Sequence, residues 1–266
     1  MFYRKLLKNA KKNFATSLII QWETSKKKFR SPSPNLRTSD NIPVVYQKMK
    51  LRTTTFFEAF DTDTNQRIFI KRVKIDHHNE FKIESEFFKK YQNERTVELL
   101  YEILESDQDN KSDAQFGCFV LPFAECGDLY SLAIEQLWSP TNEEFLKLAF
   151  NLLTSLAKIH SRGCILRDIK LDNIGCFQTR VSINVDNLKF IDFGSAYIEG
   201  LSKANSFKGT ENYHAPEYFY HEKMTPAYDI WSLGVTFYTM IAKCFPTAEP
   251  PNRYYEYPYA CHFSEE

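Results

Sequence analysis

Four blocks decide how this chain is read: Leu166-Arg167-Asp168-Ile169-Lys170-Leu171-Asp172-Asn173, Phe190-Ile191-Asp192-Phe193-Gly194, Gly209-Thr210-Glu211-Asn212-Tyr213-His214-Ala215-Pro216-Glu217 and Asp229-Ile230-Trp231-Ser232-Leu233-Gly234. Each alone has a plain structural explanation. Asp168 can cap a helix, and Asp192-Phe193-Gly194 can simply be a turn. Their occurrence together, in this order, is what carries information.

Working outward, Ser139-Pro140-Thr141 opens a helix with Glu144 placed for a capping box. Phe145, Leu148, Ala149, Leu152, Leu156 and Ile159 continue it on one apolar face. Tyr228–Lys243 is almost wholly apolar, which predicts a buried helix. Upstream, Leu51–Phe60 and Arg67–Lys74 are rich in Phe, Ile, Val and Thr around a polar turn, the pattern of a hairpin. Residues 80–92 read as a helix, and Leu99–Glu105 and Gly117–Phe123 as two further strands. Strands first and helices second imply an α+β protein in two lobes, with a ligand cleft between them.

Composition fits a globular chain: 266 residues, 43% apolar, 26% charged and a formal net charge of zero. It excludes collagen-like, disordered and disulfide-stapled classes, and no run approaches the ~18 apolar residues of a membrane span. The six cysteines form no C-x-x-C pair and read as reduced thiols. Neutrality conceals an asymmetry, because residues 1–40 hold ten Lys/Arg against Glu23 and Asp40 and the rest is correspondingly acidic. In that arm Phe2, Leu6, Leu7, Ala10, Phe14, Leu18 and Trp22 recur at helical spacing. Three readings stay open for it: an amphipathic helix on acidic lipid, a mitochondrial transit peptide, or a solvated arm. Ser31-Pro32-Ser33-Pro34 reads as a linker. The expected organisation is an arm and linker over 1–44, a small lobe over 45–124 and a large lobe over 125–266. The expected location is intracellular, cytoplasmic or nuclear, with mitochondrial targeting left open.

Over about residues 45–245 the chain resembles the eukaryotic protein kinase family, of serine/threonine type, on the strength of the four blocks. The resemblance implies the kinase fold: a small antiparallel sheet lobe with one helix, and a larger helical lobe. It implies ATP and Mg²⁺ as cofactors and a protein substrate with a Ser/Thr hydroxyl. Asp168 would accept the hydroxyl proton, Lys170 would offset charge on the moving phosphoryl group, and Asn173 and Asp192 would ligate Mg²⁺. Lys71 would grip ATP, partnered by Glu84 or Glu86; the steps from Glu84 to Phe87, Phe88 and Tyr91 favour Glu84. In the segment between lobes, the Pro122 carbonyl and the Ala124 N–H would meet adenine, with Asp128 near the ribose.

The chain also departs from the family pattern. No glycine precedes Gly117, so the phosphate-covering loop has Met49, Leu51 and Thr54 where glycines belong. Phe56 and Phe69 stand where small residues normally face adenine, while Gly175 replaces the large residue below it. Those rings either stack on the base or fill its slot. Leu166 replaces a histidine and is expected to pack on Phe193. Arg167 suggests an activation segment, Asp192 to Glu217, that is either engaged through a phosphate on Ser202 or Ser206 or is a plain solvated loop. The sequence ends soon after 228–243, which leaves Arg253 as a substitute partner for Glu217, or a partner protein to complete the large lobe. Two functional readings follow: an active kinase, or a pseudokinase that binds without turnover. Membrane or nucleic-acid binding through the basic arm is a third.

Overall fold

Alternation along the strands places the first lobe. The computed structural model describes residues 48–50, 54–61, 66–76, 79–105, 115–178, 183–202, 208–220 and 224–246. The expectations for the basic arm, the linker, Leu51, Ser206 and Arg253 lie outside them. Strands β1 (Lys48–Lys50), β2 (Thr54–Phe60), β3 (Arg67–Ile75), β4 (Tyr101–Glu105) and β5 (Gln115–Pro122) form one antiparallel sheet in the order β1-β2-β3-β5-β4. The hairpin expected from Leu51–Phe60 and Arg67–Lys74 forms as β2 and β3, and β1, which precedes the expected range, folds back so that Met49 pairs with Phe56. On β3, Phe69, Lys71 and Val73 share the face toward the main core, as a two-residue period requires. Ile68 points the other way, into a smaller cluster with Ala59 and Val120.

Helix α1 (Glu80–Lys90) lies on that core face and buries Phe81, Ile83, Glu84, Phe87 and Phe88. Phe81 stacks on Phe119 with centroids 4.7 Å apart, and its ring covers the bare backbone of Gly117. Glycine is needed here for close approach: a Cβ at Gly117 would stand 2.1 Å from the Phe81 ring.

The second lobe is helical. It comprises a π-helical turn (Ser131–Glu135), α2 (Asn142–His160), α3 (Pro216–Phe219) and α4 (Pro226–Ala242). Two short ladders accompany them: β6 (Cys164–Ile165) with β9 (Tyr197–Ile198), and β7 (Ile174–Cys176) with β8 (Leu188–Phe190). The capping box forms as the sequence predicts, since Thr141 Oγ1 accepts from Glu144 N–H and the Glu144 carboxylate accepts from Thr141 N–H. Leu148, Leu152, Leu156 and Ile159 are buried along one side of α2. One expectation is corrected. Helix α4 buries only one side, and Ile230, Tyr238 and Ile241 are exposed among the described residues. Apolar composition gives no direction, and direction is set by which neighbours pack on the helix.

A single core runs from Phe56 and Phe69 through Phe193 to Leu233, so the lobes are packed as one body. Main-chain bonds from Val97 N–H to the Phe190 carbonyl (2.9 Å) and from Phe190 N–H to the Arg95 carbonyl (2.8 Å) sew the segment after α1 to β8. At the connection after β5, the Arg67 guanidinium lies 3.9 Å from the Phe123 ring centroid and pairs with Glu58 and Glu125.

Gly117→Ala is expected to destabilise the fold by about 1–3 kcal/mol, because the Phe81 ring is pinned by Phe119 and cannot retreat. Urea unfolding monitored by fluorescence measures this; a loss under ~0.5 kcal/mol would mean that the ring is free to move.

Candidate active site

Lys71 projects from β3 into the core, where an unpaired ammonium could not remain charged. Two carboxylates meet it: Glu84 Oε2 at 2.6 Å from α1, and Asp192 Oδ1 at 2.7 Å from the loop after β8. Glu86 instead pairs with Lys90 on the helix's outer side, so the competition between the two glutamates resolves to Glu84. Burial alone would depress the Lys71 ammonium, but the charges of Asp192 and Glu84 outweigh it and push its pKa up. The cluster holds one cation and two acids. Burial works against ionised Asp192 as well, yet Lys71 beside it and Lys170 farther off hold its carboxyl below the usual range. Glu84 takes the other outcome. Burial, only partly offset by Lys71, pushes its carboxyl up to about 7.

Asp192 reaches this position with φ at 65°, a left-handed conformation uncommon outside glycine. Next to it, Phe193 is buried with its ring stacked on Phe87 at 3.8 Å and edge-on to Phe88 at 5.4 Å. Leu166 is buried in the same core.

A second set converges on Asp168. Its Oδ2 accepts from Lys170 Nζ (2.7 Å) and Asn173 Nδ2 (3.0 Å), while its Oδ1 accepts from the Thr210 hydroxyl (2.6 Å). Lys170 Nζ also donates to Thr210 Oγ1 at 2.7 Å. The loop carrying Asp168 is fixed from beneath by Asp229, fully buried on α4. The Asp229 carboxylate accepts from Leu166 N–H and Arg167 N–H at 2.8 Å each, and His160 Nε2 lies 2.8 Å away. No role for Asp229 was assigned from the sequence, although a carboxylate in an apolar helix needs buried donors and so points to a neighbouring loop.

Arg167 is 2% exposed, with φ at 67°, and its guanidinium donates to the Ser195 (2.7 Å) and Ala196 (3.2 Å) carbonyls. Ser202 is engaged in its own turn, accepting from Ile198 N–H and donating to the Ala196 carbonyl.

Between the two sets lies a slot lined by Phe56, Phe69, Lys71, Leu121, Pro122, Asn173, Phe177 and Asp192, among others. Its metal end carries a suitable donor set. Asn173 commits its NH₂ to Asp168, through the carbonyl (2.8 Å) and the carboxylate, which leaves the amide oxygen as its acceptor. An amide oxygen and the ionised Asp192 carboxylate suit Mg²⁺ with phosphate oxygens. The base end does not fit a purine as the rings stand. Phe56 stacks on Phe69 (centroids 5.7 Å, 21°), and the cavity left is about 20 Å³, enough for about one water. The missing floor at Gly175 is filled by Phe177, whose ring would meet a Gly175 Cβ at 3.0 Å. Sequence reasoning missed Phe177. The available signal was alternation carried one residue past the end of β7, which would place 175 and 177 on one side.

Pro122 lines this slot, but two further expected base contacts do not. Ala124 is buried outside the lining, and its carbonyl accepts from Gly127 N–H. Asp128 is fully buried rather than presented to a ribose: its Oδ1 accepts from Ser131 N–H at 2.7 Å, which caps the following turn. Burial pushes its carboxyl up to about 6.

A family model described as the protein kinase domain matches residues 52–258. Serine/threonine-protein kinase PRR2 of Saccharomyces cerevisiae is 35% identical over 130 residues, covering 46% of this chain and 18% of that protein. The probable serine/threonine-protein kinase FMP48 of the same yeast is 33% identical over 162 residues, covering 51% and 42%. Human protein kinase C delta type is 36% identical over 127 residues, covering 46% and 18%. The matches thus take in less than half of each relative's length.

The Glu84 carboxyl, at about 7 in the fold against 4.5 ordinarily, gives a pH test. Between those values the folded state holds a proton that the unfolded chain has released. This stabilisation is complete below about 4.5 and is lost as pH rises through about 7. Relative to Glu84→Gln, the parent is expected to lose unfolding free energy from pH 5 to pH 8 in urea titrations. A difference that stays flat or grows would mean that Glu84 is charged throughout.

Proposed function

The chain belongs to the protein kinase family, and from that premise we propose that it is an active serine/threonine protein kinase, moving the γ-phosphoryl group of ATP to a protein hydroxyl. One observation carries this reading: Asp168, Lys170, Thr210 and Asn173 interlock at 2.6–3.0 Å beside a Lys71 already paired with Glu84 and Asp192. Phosphoryl transfer asks mainly for positioning and charge neutralisation, so a site whose groups are set in advance is most of the catalyst. Asp168 would take the proton of the acceptor hydroxyl, oriented for it by Lys170 and Asn173. Lys170 would also neutralise charge building on the transferring group. Asn173 and Asp192 would hold a magnesium ion, which when bound supplies charge stabilisation on phosphate oxygens. Lys71, kept cationic by two acids, would bind phosphate oxygens at the same end of the slot.

A second reading, a pseudokinase that binds partners without turnover, is favoured by the slot itself. Phe56, Phe69 and Phe177 occupy the space a purine requires. Under the active reading at least one of these rings must rotate when nucleotide enters.

Transfer of ³²P from Mg-ATP to a generic protein acceptor separates the two. The active reading expects label with the parent and at least about 100-fold less with Asp168→Asn. No label with the parent, or equal label with both, would overturn it. For the slot, thermal melting with and without Mg-ATP is read as a shift within each protein, since a bound ligand raises the melting point. Phe69→Ala is expected to show the larger shift, because a ring that fills the slot hinders entry. A smaller shift than the parent's would mean that the ring stacks on the base.

A further inference from the structure

Beneath the Asp168–Thr210 contact lies a polar assembly that this chemistry does not use. Tyr228, in the first turn of α4, is buried, with its Oη 2.6 Å from His214 Nδ1 and 3.5 Å from the Lys208 carbonyl. Gly209, close to the same hydroxyl, has φ +129°. A Cβ at Gly209 would stand 2.7 Å from Tyr228 Oη and 2.8 Å from the carbonyl oxygen of Arg167, the residue before Asp168. His214 is buried as well, with its ring stacked on Tyr218 at a centroid distance of 3.6 Å. The hydroxyl therefore bonds the end of segment 208–214 and lies close to its bend. Thr210, which donates to Asp168, sits between the two.

The hydrogen-bond roles follow from the groups available. A phenol has one proton to give, and the short approach directs it to an unprotonated Nδ1. Burial keeps the His214 imidazole neutral by pushing its pKa down to about 4, which suits Nδ1 as acceptor. Packing is also present, because Tyr228 clusters with Ala215 and Met224. Packing needs the ring alone; the bond to His214 is made by the hydroxyl.

We propose that Tyr228 and His214 are positioning residues for the acceptor side of the reaction, tethering segment 208–214 so that Thr210 meets Asp168 and Lys170 and the acceptor polypeptide finds its seat there. The proposal rests on the reading of Asp168 as the group that receives the hydroxyl proton.

Tyr228→Phe keeps the ring and deletes the tether. Its kcat/KM for an acceptor peptide is expected to fall at least 10-fold while KM for ATP stays within 2-fold. Amide hydrogen exchange over 208–214 is expected to rise at least 10-fold, with α1 unchanged. His214→Leu should behave alike, whereas His214→Asn, which keeps an acceptor near the Nδ1 position, should retain most of the parent's values. Unchanged peptide kinetics and unchanged exchange in Tyr228→Phe would overturn the proposal. Equal losses toward ATP and peptide, with exchange rising in α1 too, would overturn it as well by marking a general packing role. Should the parent transfer no phosphoryl group, the reading of Asp168 falls on that result, and exchange over 208–214 decides the tether by itself.

Discussion

The architecture depends on one buried ammonium shared by two carboxylates from different parts of the chain. Lys71 is inward because it lies in phase with Phe69 and Val73 on β3, and once inward it must be paired. Glu84 can reach it only if α1 lies against the sheet. Asp192 can reach it only if the loop after β8 takes the left-handed turn seen at that residue. A contact of three side chains thus fixes a strand, a helix and the mouth of the second lobe. The aromatic stack of Phe87, Phe88 and Phe193 completes the same junction with dispersion contacts.

The second lobe solves a parallel problem with opposite sign. Asp229 carries a buried carboxylate in the first turn of an apolar helix, and the main-chain N–H groups of Leu166 and Arg167 satisfy it. The loop bearing Asp168 is thereby hung from α4 rather than from its own short strands. Both devices use a buried charge as a locator, because a charge without its partners would be far less stable there.

Much of this was legible in the sequence. Lys71, Glu84, Asp168, Lys170, Asn173 and Asp192 could be picked out by motif and phase, and the structure brings them into two adjoining sets. The strands and α2 were readable because alternation, helical spacing and the Thr141 cap are local signals. What escaped reading depended on long-range geometry. Asp128 turned inward to cap the following helical turn, and α4 leaves Ile230, Tyr238 and Ile241 exposed among the described residues. The slot was half legible. The bulk of Phe56 and Phe69 announced crowding, but the Phe177 ring that replaces the floor belongs to a residue outside the motif.

The slot and the charge cluster make different demands. Opening the slot for a purine means moving aromatic rings, whereas the ammonium and its acids are already paired. The account therefore stands first on the shared lysine, and a double-mutant cycle at pH 7.5 probes it directly. Unfolding free energies of the parent, Glu84→Gln, Asp192→Asn and the double variant would be compared. If one ammonium serves both acids, either acid alone keeps it paired, and the double variant should lose at least about 1 kcal/mol more than the two single losses together. Losses that add to within about 0.5 kcal/mol would contradict the shared-lysine account.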